Sequence, residues 1–175
     1  MDGDRTTAVE PGTRWLTDDE ARHWLALVAL LEVLPAALDT QLKRDAGMNS
    51  YEYMILSALS DAPAWTMGMS QVAGCVSGSL SRLSHAVGRL EAKGWVTRTP
   101  TGRGKAVDLT MTDLGAATME QVAPGHVAEA RRLVVDVLSP RQLTDLGRAC
   151  RRILDAVDPR HTALMDELLR SRHAT

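Results

Sequence analysis

The side chains best suited to chemistry lie between residues 77 and 105: Ser77, Ser79, Ser81, Arg82, His85, Arg89, Arg98, Arg103 and Lys105. They form no nucleophile–base pair and no metal-ligand spacing. They are hydrogen-bond donors and cations, the types that recognise a polyanion. Gly78, Ser81, Arg82, His85 and Arg89 share one side of a 3.6-residue helix. The fork of an arginine donates two bonds to the O6 and N7 edge of guanine, and a histidine donates to an acceptor edge or a phosphate. Arg82 and His85 therefore suit base-edge contact. Arg89, Arg98, Arg103 and Lys105 suit phosphate oxygens, with Arg103 also able to enter the minor groove. Ser77, Ser79 and Ser81 can bond phosphates or bases, and Ser77 serves equally well as a helix cap. Lys93 is read as solvent-facing. A solvated helix face carries the same residue types, so the elements around them decide.

Leu80, Leu83, Val87 and Leu90 fall on the opposite side of the same helix and must go inward. Gly94 stands where a left-handed C-terminal residue belongs. The short segment before it, residues 70–76, puts Val72, Ala73 and Val76 on a face of its own. Two short helices so joined, the second polar and basic outside, make a helix-turn-helix. Residues 95–99 and 105–111 are β-type runs, and in the second Val107, Leu109 and Met111 alternate with Asp108 and Thr110. Between them residues 100–105 form a tight tip carrying Arg103 and Lys105. A reading helix followed by a basic hairpin is a winged helix. The fold expected is mainly α with a small β-wing: a winged helix-turn-helix core flanked by long N- and C-terminal dimerisation helices.

The stretches SLSRLSHAVGRLEAKGWVTR, GRGK and LTMTDLG resemble the DNA-binding core of MarR-type bacterial transcriptional regulators. The likeness extends upstream to NSYEYMILSALSDAP and downstream to APGHV, covering roughly residues 20–155. One position departs from the family pattern: the wing usually carries an Asp two residues before its arginine, and Thr101 stands there. The resemblance implies a homodimer joined through its terminal helices. It also implies a repressor released by a small, often aromatic or phenolic, effector bound between the winged core and the dimer helices. Trp24, Tyr51, Tyr53 and His126 could line that effector site. A two-fold dimer sets two reading helices about 34 Å apart, one turn of double-stranded DNA, and so calls for a near-palindromic operator.

Charge agrees with this once it is localised. The net charge is −2, yet residues 65–110 hold six basic and two acidic side chains, a surplus of +4. Residues 1–64 hold five basic and eleven acidic, and residues 111–175 nine of each. Local surplus, not the total, governs phosphate contact. Aromatics make up 3% and Phe is absent, so the core must be Leu, Val, Ala and Met, which suits helices. No apolar run approaches the ~18 residues of a membrane span, and the polar, acidic N-terminus lacks a signal-peptide core. A cytoplasmic protein is expected.

Other chemistry finds little support. No GxSxG, HExxH, phosphate-binding glycine loop or dinucleotide fingerprint occurs, so neither an enzyme nor a cofactor is expected. His23, His126, His161 and His173 lack metal-ligand spacing, and Cys75 and Cys150 make no CxxC. Both cysteines read as buried small hydrophobes. The peroxide-sensing branch of the family uses a cysteine near the start of its first helix, where this chain has none. Two alternatives remain: a cysteine-based redox regulator on the same fold, and a winged-helix interaction module that does not bind DNA. The basic face argues against the second.

The flanks complete the organisation. Residues 1–14 read as disordered, residues 15–48 and 113–175 as a helical dimerisation layer, and residues 49–112 as the DNA-binding domain. Thr17 and Glu20 form a capping box for a long helix to about residue 46, with Pro35 expected to bend it. Its stripe is Trp24, Leu27, Val28, Leu31, Leu34, Leu38 and Leu42. Thr112 caps a helix expected to reach about residue 137, with a bend or break at Pro124-Gly125. Ser139 to Gln142 opens another, with a stripe of Leu143, Leu146, Ala149 or Cys150, Ile153, Leu154 and Val157. Leu164, Leu168 and Leu169 make the tail amphipathic, as a docked helix or a frayed end.

Overall fold

The computed structural model describes residues 12–76, 78–101 and 106–163. The chain divides into two compact units, residues 1–35 and 36–175. In the first unit, Thr17 Oγ1 accepts the Glu20 N–H at 3.2 Å and Glu20 returns the favour to the Thr17 N–H at 2.8 Å, which opens helix α1 (Asp18–Ala46). Trp15, Leu16, Trp24, Leu25, Leu31 and Val33 of this unit are all exposed. Helix α1 runs through Pro35 and closes at Gly47, whose φ of +62° a glycine adopts without strain.

By length and composition the α1 sequence is also long and apolar enough to cross a membrane, contrary to the expectation of no such run. Read residue by residue, Glu32, Pro35 and Asp39 interrupt the run; averaged, the leucines, valines and alanines outweigh them.

The second unit holds the core. Helix α2 (Ser50–Ser60) starts on a capping box of Asn49 and Glu52. A 3-10 turn at Pro63–Trp65, not foreseen in the sequence, leads into strand β1 (Thr66–Gly68). Helices α3 (Met69–Cys75) and α4 (Leu80–Ala92) make the helix-turn-helix. Strands β2 (Val96–Pro100) and β3 (Val107–Met111) make the wing hairpin, and β1 adds to its far edge, giving an antiparallel sheet of order β1-β3-β2. Val96 pairs with Met111 and Pro100 with Val107, so the alternation turns Leu109 and Met111 into the core. Leu42, Ile55, Leu56, Leu59, Val72, Leu83, Val87, Leu90, Val96 and Leu109 pack there as one buried cluster. At about 1.5–3 kcal/mol for each large apolar side chain, this cluster dominates the stability of the unit.

Helix α5 (Asp113–Ala130) is capped by Thr112, whose Oγ1 accepts the Gly115 N–H. It does not break at Pro124. Pro124 and Glu120, whose carbonyl the proline leaves without its usual donor, are both exposed, so water can satisfy that carbonyl. The irregularity comes later, as a π-turn over Arg131–Val135. Helix α6 (Pro140–Val157) opens on the expected Ser139–Gln142 capping box, and none of its residues is buried. A further helical turn begins at residue 159; Leu164, Leu168 and Leu169 lie outside the described residues.

Candidate nucleic-acid interface

Helix α4 is oriented by its inner face. Leu83, Ala86, Val87 and Leu90 are buried, which leaves Ser81, Arg82, His85 and Arg89 exposed on the other side. Ser79 caps the helix, its Oγ accepting the Arg82 N–H at 3.2 Å. Ser77, the cap expected from sequence, lies outside the described residues. Starting at Leu80 rather than earlier puts that residue in the first turn, beyond the rim of the core. Leu80 is thus 65% exposed instead of inward. It lines an open groove of about 740 Å³ between α3, α4 and the wing, together with Gln71, Ser84, Arg98, Val107 and Asp108.

The basic residues separate into two kinds. The Arg82 guanidinium lies over the ring of Tyr51, with Cζ 4.1 Å from its centroid. Among the described residues it has no carboxylate partner, and neither does His85. Arg89 donates from Nε to Glu52 Oε1 at 2.5 Å, and Lys93 Nζ lies 3.8 Å from Glu52 Oε2. Lys93 also donates to the Gly47 carbonyl at 2.7 Å and covers the Trp95 ring, so it is a strut rather than a free cation. Arg98 reaches back from the wing, donating to the Ser84 carbonyl at 3.0 Å and pairing with Glu91 at 3.0 Å. That last contact is ionic rather than an aligned hydrogen bond, since Arg98 Nε finds no well-directed acceptor. Arg103 and Lys105 lie outside the described residues; Thr101 N and Oγ1 both donate to the Ala106 carbonyl and close the base of the hairpin.

Sequence reasoning missed Glu52 as an organiser. Its side chain is only 3% exposed and holds Arg89, Lys93 and the Asn49 N–H together. The signal was the capping box, which marks an acceptor near a helix start but not one roofed by a second helix.

The residues expected around an effector are distributed unevenly. Tyr53 and His126 come together, their ring centroids 4.3 Å apart. Gln41 Nε2 donates to Asp45 Oδ2 at 2.7 Å, so its Oε1 is the acceptor for His126 Nδ1 at 3.1 Å, which places the imidazole proton on Nδ1. Burial pushes the His126 imidazole below its ordinary value. Tyr51 is 8% exposed and belongs to the junction with α4 instead. Trp24 belongs to the first unit and is exposed. Cys75 is half-buried, while Cys150 is exposed rather than inward, because the apolar stripe of α6 has no cover within the described residues. No three His, Cys, Asp or Glu side chains among the described residues are placed to hold a metal ion.

The same architecture occurs in Sco3205 of Streptomyces coelicolor, a MarR family transcriptional regulator solved in complex with DNA. It superimposes with a TM-score of 0.81 at 37% identity, over 84% of this chain and 92% of that one. The chain belongs to the MarR family of transcriptional regulators. AbsC, another MarR family regulator of Streptomyces coelicolor, matches with a TM-score of 0.78 at 35% identity, over 83% of this chain and 98% of that one. The HTH-type transcriptional regulator PecS of Dickeya dadantii (strain 3937) is 32% identical over 95 residues, which are 53% of this chain and 55% of PecS. The chain thus spans about half the length of that curated relative. No protein-family model matches the chain. Membership of the MarR family agrees with the winged architecture and with the placement of α4 as the outward helix of the pair.

Proposed function

We propose that this MarR-family chain is a sequence-specific double-stranded DNA-binding regulator, acting as a homodimeric repressor on a near-palindromic operator. The observation that carries this reading is the exposed face of α4. Leu83, Ala86, Val87 and Leu90 anchor the helix, and Arg82 and His85 stand outward with no acidic partner among the described residues. The local surplus of positive charge supports it, as does the DNA complex of Sco3205. Ser79, Ser81, Arg89, Arg98, Arg103, Lys105 and Ser77 complete the proposed DNA surface. Arg98 is shared with Glu91, and Arg89 keeps its terminal nitrogens available while Nε is held.

The exposed apolar faces of α1 and α6 support a second copy as partner, with residues 15–48 and 113–175 as the dimerisation layer and residues 49–112 as the DNA-binding domain. The Tyr53–His126–Gln41 cluster supports a small aromatic or phenolic effector nearby. A regulator of this kind works in the cytoplasm, catalyses nothing and needs no metal or cofactor.

Selection of bound DNA from a random duplex pool tests the reading, followed by mobility shifts of the selected site. Arg82→Ala should relax base choice at one position per half-site, a discrimination of about 1–3 kcal/mol. Lys105→Ala should weaken all sequences alike and lower the salt dependence. Failure to enrich any sequence refutes the proposal.

A further inference from the structure

The geometry points to Tyr51 as a positioning residue for base choice: its ring is the platform that holds the Arg82 guanidinium while the arginine's N–H edge reads a base. This rests on the DNA-reading role proposed for α4. Three observations meet at one place. The guanidinium carbon lies 4.1 Å from the Tyr51 ring centroid, in contact distance for a face-on cation–π arrangement. Tyr51 itself is fixed, since it belongs to the buried cluster and to α2 rather than to the reading helix. Gly78 makes the room: a Cβ there would stand 2.9 Å from Tyr51 Oη and 3.3 Å from Arg82 Cδ. Its φ of +151° is one that other residues adopt only with strain.

The chemistry favours a platform over an ion pair. A carboxylate partner occupies the N–H groups of an arginine, as Glu52 does for Arg89 Nε. An aromatic face offers no acceptor oxygen to the N–H groups, and a guanidinium stacked on it keeps its in-plane donors for another partner. Arg82 therefore loses rotamer freedom before DNA arrives, without losing its donors. The hydroxyl plays no part in this: Tyr51 Oη is buried and has no hydrogen-bond partner among the described residues. A phenylalanine should do the same work. The opposite use of the same contact is parking, in which Arg82 must leave the ring to reach a base; the two differ in the sign of the effect when the ring is removed.

The test compares wild type, Tyr51→Phe and Tyr51→Leu on the selected operator, on the operator changed at the Arg82-dependent base, and on random duplex. With Tyr51→Leu the preference for the cognate base should fall by about two- to five-fold, the value of an exposed cation–π contact. Affinity for random duplex and its salt slope should stay unchanged, and Tyr51→Phe should restore the preference. Tighter cognate binding by Tyr51→Leu would show parking, equal loss on every sequence would show a merely structural role, and unchanged preference would show no coupling; each overturns the inference. A wild type that selects no sequence refutes the DNA-reading role and this inference with it, whereas a wild type that selects normally beside an unaltered Tyr51→Leu refutes the platform alone. The free wild-type protein supplies a check that needs no variant: the Arg82 side-chain protons should show an upfield ring-current shift and restricted motion by NMR, and their absence would overturn the platform as well.

Discussion

The Glu52–Arg89 pair predicts an asymmetry that a simple count of lost contacts would not. The carboxylate is 3% exposed and the arginine side chain 54% exposed, with 2.5 Å between Nε and Oε1. In Arg89→Ala the carboxylate keeps only the Asn49 N–H at 3.2 Å and Lys93 Nζ at 3.8 Å, and the space left by the half-exposed arginine admits water on one side. Stranding a buried charge costs about 3–5 kcal/mol; the remaining partners and the half-exposed site reduce this to about 2–3 kcal/mol. In Glu52→Gln the amide oxygen can still accept from Asn49, while the amide NH2 faces the Arg89 Nε–H and turns the half-exposed guanidinium toward water. The loss is one charge-assisted bond, about 1–2 kcal/mol after discounting for exposure. The double variant leaves no buried charge, only a neutral amide, so it should be more stable than Arg89→Ala alone. Urea unfolding at fixed protein concentration measures all three, and each kcal/mol corresponds to roughly 2–4 °C in Tm for a chain of this size. Arg89→Ala costing less than Glu52→Gln, or a double variant no better than Arg89→Ala, would refute the reasoning.

Gly115→Ala should destabilise by about 3 kcal/mol or more, because its Cβ would lie 2.3 Å from the Trp95 carbonyl oxygen and backbone must move; thermal unfolding measures the loss. Burial disfavours the charged form of His126, so the unfolded chain binds the proton first. Stability should be intact above the ordinary value of 6.5 and decline as pH falls below it, and His126→Gln should flatten that part of the pH–Tm profile. Ile153→Glu on the apolar stripe of α6 should shift the protein from dimer to monomer in sedimentation at micromolar concentration, and an unchanged dimer would remove α6 from the interface.

What was legible in the sequence follows from periodicity and from caps. The inward set of α4 was readable because Leu83, Val87 and Leu90 recur at helical spacing, and Asn49, Thr112 and Ser139 announce their helices by residue type. Leu80 was misread because Ser77 and Ser79 satisfy the same capping pattern two residues apart. Tyr51 and Tyr53 look alike as neighbours in sequence, yet α2 turns them to different sides: one under Arg82, the other to His126. The burial of Glu52 was invisible since nothing in a capping box says that another helix will cover it. The place of Cys150 was misjudged for the converse reason: an apolar stripe at helical spacing reads as core, although in a single chain α6 leaves it bare.

Arg98 ties strand β2 to helix α4. Its terminal nitrogen grips the Ser84 carbonyl in the middle of α4, its Nε pairs with Glu91 at the far end, and its backbone lies in β2, where it pairs with Leu109. A brace anchored at two points on one element and built into another resists both sliding and hinging. In the proposed dimer each copy would then present β2 and α4 to its half-site as one braced unit. In a two-fold assembly, what remains adjustable is the gap between the two units. The proposed regulator would act as a caliper: operators with one base pair inserted or removed at their centre should lose binding even when both half-sites are intact.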